Sequence, residues 1–249
     1  MKIDKVFPNP TVKEVNFQIE FSNLFLIENK IGDFQIKIMD VFPDSSLLIR
    51  RHVVFAETTK GIEDIRKDPD LDPTTKIWQF SSNKGYNINV TTKSVHISST
   101  MHKSYNMGED KFRDIIEHAI TNFLEVFPIR KIKRIGLRYI DHCPIFSKNN
   151  KTIKECYNTT FPLNRFDIEN AEEMSFGTVI KRGDYFLKYI ELLPKGKNDT
   201  LILDFDGFTN DINTEDWLRI LDEIHLIIRG EFENSIKKPI YDYMEKKGE

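Results

Sequence analysis

Asp204 and Asp206 stand two residues apart in the run Leu201-Ile202-Leu203-Asp204-Phe205-Asp206, and Arg134 and Arg138 stand four apart in Arg134-Ile135-Gly136-Leu137-Arg138. In an extended chain such even spacing puts both members of each pair on one face. Two carboxylates so placed could serve as hard oxygen ligands for a divalent cation, and two guanidiniums could clamp a phosphate. That chemistry would be metal-dependent hydrolysis or phosphotransfer. The plainer outcome is ion pairing between neighbouring strands on the polar face of a sheet. No Asp/Glu/His triplet with ligand spacing accompanies the pair, so the sequence assigns no metal, no cofactor and no catalytic residue.

Other reactive side chains give less. His142, Cys143 and Cys156 could ligate zinc, but their spacing matches no C-x-x-C pattern and a fourth ligand is missing. Cys143 and His142 are adjacent, so on a strand they point to opposite faces and cannot form a nucleophile–base pair. His225 falls beside the apolar stripe of a helical segment and reads as a histidine at the core edge. Phosphate-loop, dinucleotide-binding, nucleophile-elbow and zincin patterns are absent.

The elements that must position these residues follow from periodicity. The eleven residues Lys131 to Asp141 alternate apolar with basic and predict a central strand, with Ile135, Leu137 and Tyr139 facing a core and Arg134, Gly136 and Arg138 facing away. Val15 to Phe21 alternates in the same way and directs Asn16 and Gln18 to its polar face. Further strands are predicted at 47–56, 77–80, 86–90, 94–100, 174–181, 185–193 and 201–208. Residues 23–31 predict a helix, residues 57–75 a polar segment with turns at Asp68-Pro69 and Asp72-Pro73, and residues 147–170 a loop with a short helix. Two long amphipathic helices are predicted, from Glu109 to Val126 and from Thr214 to Ile236, the second capped by Asn213 or Thr214 and ended before Pro239.

Both halves thus read as strand, helical or irregular excursion, three strands and a long helix. The implied fold is α+β: two βαβββα units, residues 1–129 and 130–249, forming one curved, mainly antiparallel sheet with the long helices on one face. No Gly/Ser linker separates the halves, so one structural domain is expected.

Composition bounds the partners. The 249 residues carry 36 Lys and Arg against 39 Asp and Glu, a formal charge of −3, which excludes a generally polyanion-binding protein. Neither an export signal nor an apolar run of the roughly 18 residues that cross a membrane is present, so a cytoplasmic protein with reduced cysteines and no membrane partner is expected.

Several stretches resemble the landmarks of a sporadically distributed, uncharacterised prokaryotic protein family: Pro10-Thr11-Val12-Lys13-Glu14-Val15-Asn16-Phe17, Arg134-Ile135-Gly136-Leu137-Arg138-Tyr139-Ile140, Leu201 to Asp206, and Leu221-Asp222-Glu223-Ile224-His225 with Phe232. They spread over nearly the whole chain, and the central one is the most specific. The resemblance implies a free-standing prokaryotic protein without established catalytic residues. The chain departs from the pattern at Asp141, where family members often carry Asn.

Three functional readings follow. The first is a non-enzymatic binding or assembly protein that contacts a protein partner through the polar sheet face carrying Asn16, Gln18, Asn87, Asn89, Arg134, Arg138, Asp204 and Asp206. The second is a nucleic-acid-binding subunit of a prokaryotic defence or nucleic-acid-processing complex, using Arg130, Lys131, Lys133, Arg134 and Arg138 with Tyr139, Tyr86, Asn87, Asn89 and His96 on neighbouring strands. The third is the hydrolase or phosphotransferase built on Asp204 and Asp206.

Overall fold

The computed structural model describes residue 3 and residues 5–51, 55–58, 61–64, 74–196 and 199–246. In chain order they form β1 (Val12–Glu20), α1 (Leu26–Ile38), β2 (Asp44–Arg51), β3 (Phe55–Thr58), β4 (Gly61–Asp64), β5 (Thr74–Ser81), β6 (Tyr86–Val90), β7 (Ser94–Ser99) and α2 (Phe112–Val126). After these come β8 (Lys131–Pro144), α3 (Asn150–Cys156), β9 (Met174–Arg182), β10 (Tyr185–Leu193), β11 (Thr200–Asn213), α4 (Trp217–Ser235) and α5 (Lys238–Glu245).

Nine strands make one antiparallel sheet in the order β2-β5-β6-β7-β1-β8-β11-β10-β9, and β3 pairs with β4 alone. The architecture is therefore mixed α+β. Its register explains the alternation in the sequence. One row of facing residues runs Phe80, Ile88, Ile97, Phe17, Leu137, Gly207, Leu187 from strand to strand, and all of it is buried. Each buried Phe, Ile or Leu in such a row contributes about 1.5–3 kcal/mol by leaving water.

Aromatic contacts tie the helices to this side. Phe34 of α1 meets Phe80 and Phe123 edge-on, Phe112 of α2 stacks on Tyr86, and Trp217 and Phe232 of α4 reach Phe17 and Phe205. A Cβ built on Gly207 would lie 2.7 Å from Cγ2 of Ile224, so glycine is what lets α4 approach β11 this closely. At the far end, Glu191 is 0 % exposed; its carboxylate accepts from the hydroxyls of Thr159 and Thr160 and from the Thr160 N–H at 2.8 Å, fastening the 159–161 segment to β10.

Several expectations are corrected. The helix expected to stop near residue 31 continues to Ile38, because Ile27, Phe34 and Ile38 continue one buried stripe and Gly32 sits in open space. The local alternation of Gln35-Ile36-Lys37-Ile38 loses to that stripe. The segment read as turns contains strand at 57–58 and 61–64, while Asp68-Pro69 and Asp72-Pro73 lie outside the described residues. The strand expected over 47–56 is two strands, β2 and β3, with residues 52–54 outside the described residues. β11 runs to Asn213, well past its expected end at residue 208. Neither Asn213 nor Thr214 caps α4 through its side chain; a 3-10 turn at Thr214–Asp216 leads into it instead. Pro239 opens α5, which periodicity had not marked.

Among the described residues no helix is long and apolar enough to cross a membrane.

Candidate functional site on the polar sheet face

The register that buries one face gathers the other. Ser81, Asn87, Ser98, Asn16, Arg138 and Asp206 face one another in sequence across six strands, and Gln79, Asn89, His96, Gln18 and Gly136 form the next row. With Arg134 and Asp204, two residues along their strands, all eight residues of the expected binding face share one side of the sheet. A groove of about 450 Å³ runs over its centre, lined among others by Asn16, Gln18, His96, Arg134, Arg138 and Asp206, with Glu14 and Glu20 at its ends.

The arginines and aspartates meet on the diagonal rather than straight across. Arg138 faces Asp206 in the register but donates to Asp204, Nε to Oδ1 at 2.7 Å and Nη2 to Oδ2 at 2.6 Å. Arg134 reaches back along the strand to Asp206, with Nη2 at 3.1 and 3.0 Å from the two carboxylate oxygens. Gly136 makes that reach possible: a Cβ there would stand 2.7 Å from Nη1 of Arg134. The guanidinium therefore lies across the glycine, 4.7 Å from the ring of Phe208, which faces Gly136 in the register. The spacing Arg-x-Gly-x-Arg is thus explained by one side chain lying over a position that has none.

The electrostatics follow from these contacts. The hydrogen bond to Asp204 raises the Arg138 pKa against the effect of burial, so its charge is secure. Burial pushes Asp206 up although Arg134 pulls it down. Burial lowers His96, with Glu14 opposing, so His96 is neutral near pH 7; its Nε2 lies 2.9 Å from Oδ1 of Asn16, whose amide donates to Glu14 at 2.8 Å. Oδ1 of Asn89 is buried and has no hydrogen-bond partner among the described residues.

This geometry separates the three readings. The oxygens of Asp204 and Asp206 are turned to guanidiniums, and no group of three His, Cys, Asp or Glu side chains among the described residues could hold a metal ion. The basic strand is split: Arg134 and Arg138 are paired, while Lys131 and Lys133 stand one residue out of phase and are exposed. Tyr86 and Tyr139, expected beside the basic strand, are buried on the helix side, so neither is a stacking platform. Cys143 and Cys156 are buried free thiols. Glu14 and Glu20 were not singled out in the sequence, although their even spacing from Asn16 and Gln18 already placed them on that face.

No protein-family model matches the chain, and no curated protein matches it either.

Proposed function

We propose that this protein is a non-enzymatic binding or assembly module that receives a protein partner in the groove on the polar face of its sheet. The observation that carries this reading is the charge balance of the groove. Two guanidiniums are already held by Asp204 and Asp206, while Glu14 and Glu20 form no ion pair within 4 Å among the described residues; Glu20 faces the already paired Arg134 in the register, and Glu14 acts on Arg138 only at longer range. A segment bearing Lys or Arg side chains complements such a surface, and a polyanion is repelled by it.

The same reading takes residues 1–129 and 130–249 as two copies of one βαβββα unit within a single domain, the first enlarged: six strands, β2 to β7, lie between α1 and α2, against three, β9 to β11, between α3 and α4. In support, each half opens on a strand that pairs with the last strand of its own half, β1 with β7 and β8 with β11, and that last strand is followed by an amphipathic helix, α2 or α4. The stretch Arg134 to Ile140, which carries the family likeness, lies where the two halves join. Buried free thiols suit a cytoplasmic protein.

The test is recovery of the tagged protein from its native host, beside a Glu14→Lys/Glu20→Lys variant. A protein partner should come with the wild type and fall at least about tenfold with the variant at an unchanged thermal midpoint. Enriched nucleic acid, or a partner indifferent to both substitutions, would overturn the proposal.

A further inference from the structure

On the opposite side of the sheet, a cavity of about 120 Å³ lies between β8 and α4. Its apolar wall comes from Phe7, Val12, Ile228 and Phe232. Its polar wall is Thr11, Asp141, Tyr139, His102 and His225. Three of these groups lack partners: Oη of Tyr139, Nδ1 of His102 and Nδ1 of His225 are buried without a hydrogen bond among the described residues. Tyr139 is 9 % exposed and His102 7 %. An orphaned buried polar atom costs about 1–3 kcal/mol, and three around one cavity mark a place built to be filled by something polar.

The charge of that something follows from Asp141. Its carboxylate is 5 % exposed and accepts one hydrogen bond, from the Thr11 hydroxyl at 2.7 Å. No positive side chain of the described residues is paired with it. Of the cations around the cavity, Lys5 pairs with Glu245 at 2.5 Å and Arg229 with Glu233 at 2.9 Å, and Lys103 is exposed. A buried carboxylate without a counter-charge is costly, and here it is pushed up to about 7 by burial. Aromatic rings pack together along the walls. The Tyr139 ring lies 5.4 Å from His102 and 6.1 Å from His225, and Tyr105 stacks on His225 at 3.8 Å. Burial holds both imidazoles neutral, at about 4 and about 3, so each can present a lone pair at Nδ1 when its proton sits on Nε2.

We propose that the cavity binds a small primary ammonium ion with a compact apolar body, its charge on Asp141 and its N–H groups shared among Tyr139, His102 and His225. An anion would face the carboxylate, and an uncharged molecule would leave it uncompensated. The volume suits the apolar part, since a cavity of about 150 Å³ takes a benzene ring. This site is independent of the groove on the other face.

The probes are methylammonium and tert-butylammonium, with tert-butanol as the shape-matched uncharged control, titrated calorimetrically into the full chain at pH 7.5. At least one ammonium ion should bind saturably at one site, at least about tenfold tighter than tert-butanol, and Asp141→Asn should weaken it by at least about tenfold. Ile228→Phe, which fills the cavity and leaves the carboxylate, should abolish binding. In the wild type, the ring ¹⁵N signals of His102 and His225 should shift on titration; this readout stands even if a variant does not fold. Absence of saturable binding by both ammonium ions, equal binding of tert-butanol, unmoved histidine signals, or a folded Asp141→Asn protein that binds as well as wild type would each overturn the proposal.

Discussion

Arg138 and Asp204 form a two-pronged ion pair between β8 and β11 although neither stands opposite the other in the register; Arg138 faces Asp206, and Asp204 faces Ile140. The diagonal leaves Asp206 to Arg134, and Arg134 can take it only by lying over Gly136.

Gly136→Ala therefore tests the whole ladder. The added methyl displaces the Arg134 guanidinium, so the Arg134–Asp206 pair should be lost while Arg138–Asp204 persists. The expected cost is about 1 kcal/mol, read by urea unfolding, because both side chains are partly screened by water. In a double-mutant cycle, the coupling between positions 134 and 206 should fall to near zero in the Gly136→Ala background. An unchanged coupling would mean that Arg134 reaches Asp206 by another path.

Gly207 makes the corresponding prediction on the helix side. Gly207→Ala places a methyl against Cγ2 of Ile224 and should destabilise by about 1–3 kcal/mol, as overpacking does. Combining it with Ile224→Ala, which removes the nearest clashing carbon, should cost less than the sum of the two single changes. Strict additivity in the unfolding free energies would show that α4 is not held against β11 at this point.

Asp141 and the two cavity histidines predict opposite pH dependences. Asp141 has an ordinary pKa of 3.8 and a folded value of about 7, so between these the native state binds the extra proton. Its contribution is fully present below about pH 4 and is lost as the pH rises through 7. His102 and His225 lie below their ordinary 6.5, so the unfolded chain binds the extra protons; their contribution is full above pH 6.5 and is lost as the pH falls towards 4 and 3. Asp141→Asn removes only the first effect. Wild type should lose stability relative to this variant between about pH 4 and 7, by at most roughly 4 kcal/mol. A difference that stays flat across that window, in denaturant titrations at several pH values, would show that Asp141 remains ionised.

Glu191 should behave as a fastener. Glu191→Ala leaves the two threonine hydroxyls and the Thr160 N–H without their acceptor and should cost about 3 kcal/mol or more. Amide exchange should accelerate first in the 157–163 segment. Uniform acceleration across the sheet would place the carboxylate's role elsewhere.

The polar face was legible from strand periodicity: Asn16, Gln18, Arg138, Asp204 and Asp206 alternate with apolar residues, Arg134 keeps that phase although Lys133 precedes it, and the register brings all six together. Which arginine takes which aspartate was not legible, since that depends on a glycine's missing side chain and on the slant of long side chains across the sheet. The extent of α1 was misread where four residues alternate within a longer stripe; tertiary burial of Phe34 and Ile38 decided it. The cavity was hidden because its members, Thr11, His102, Asp141 and His225, come from four separate parts of the chain. His225 was read as a core-edge histidine on its helix, and nothing local to the helix announces that Tyr105 stacks on it.

The seam between β1 and β8 also bears on how the chain is made. Phe17 must find Leu137, far later in the chain, while its other neighbour, Ile97, is synthesised well before. On the ribosome, the first half can assemble β5, β6, β7 and β1 with α1 and α2, leaving the outer edge of β1 bare until residues 131–144 emerge. Pairings of such long range are the slow ones in folding. During that interval the exposed edge carries Lys13, Glu14 and Glu20, charges of the kind that discourage one nascent strand from pairing with another. The glutamates that shape the groove of the finished protein would then first protect its unfinished half from aggregation.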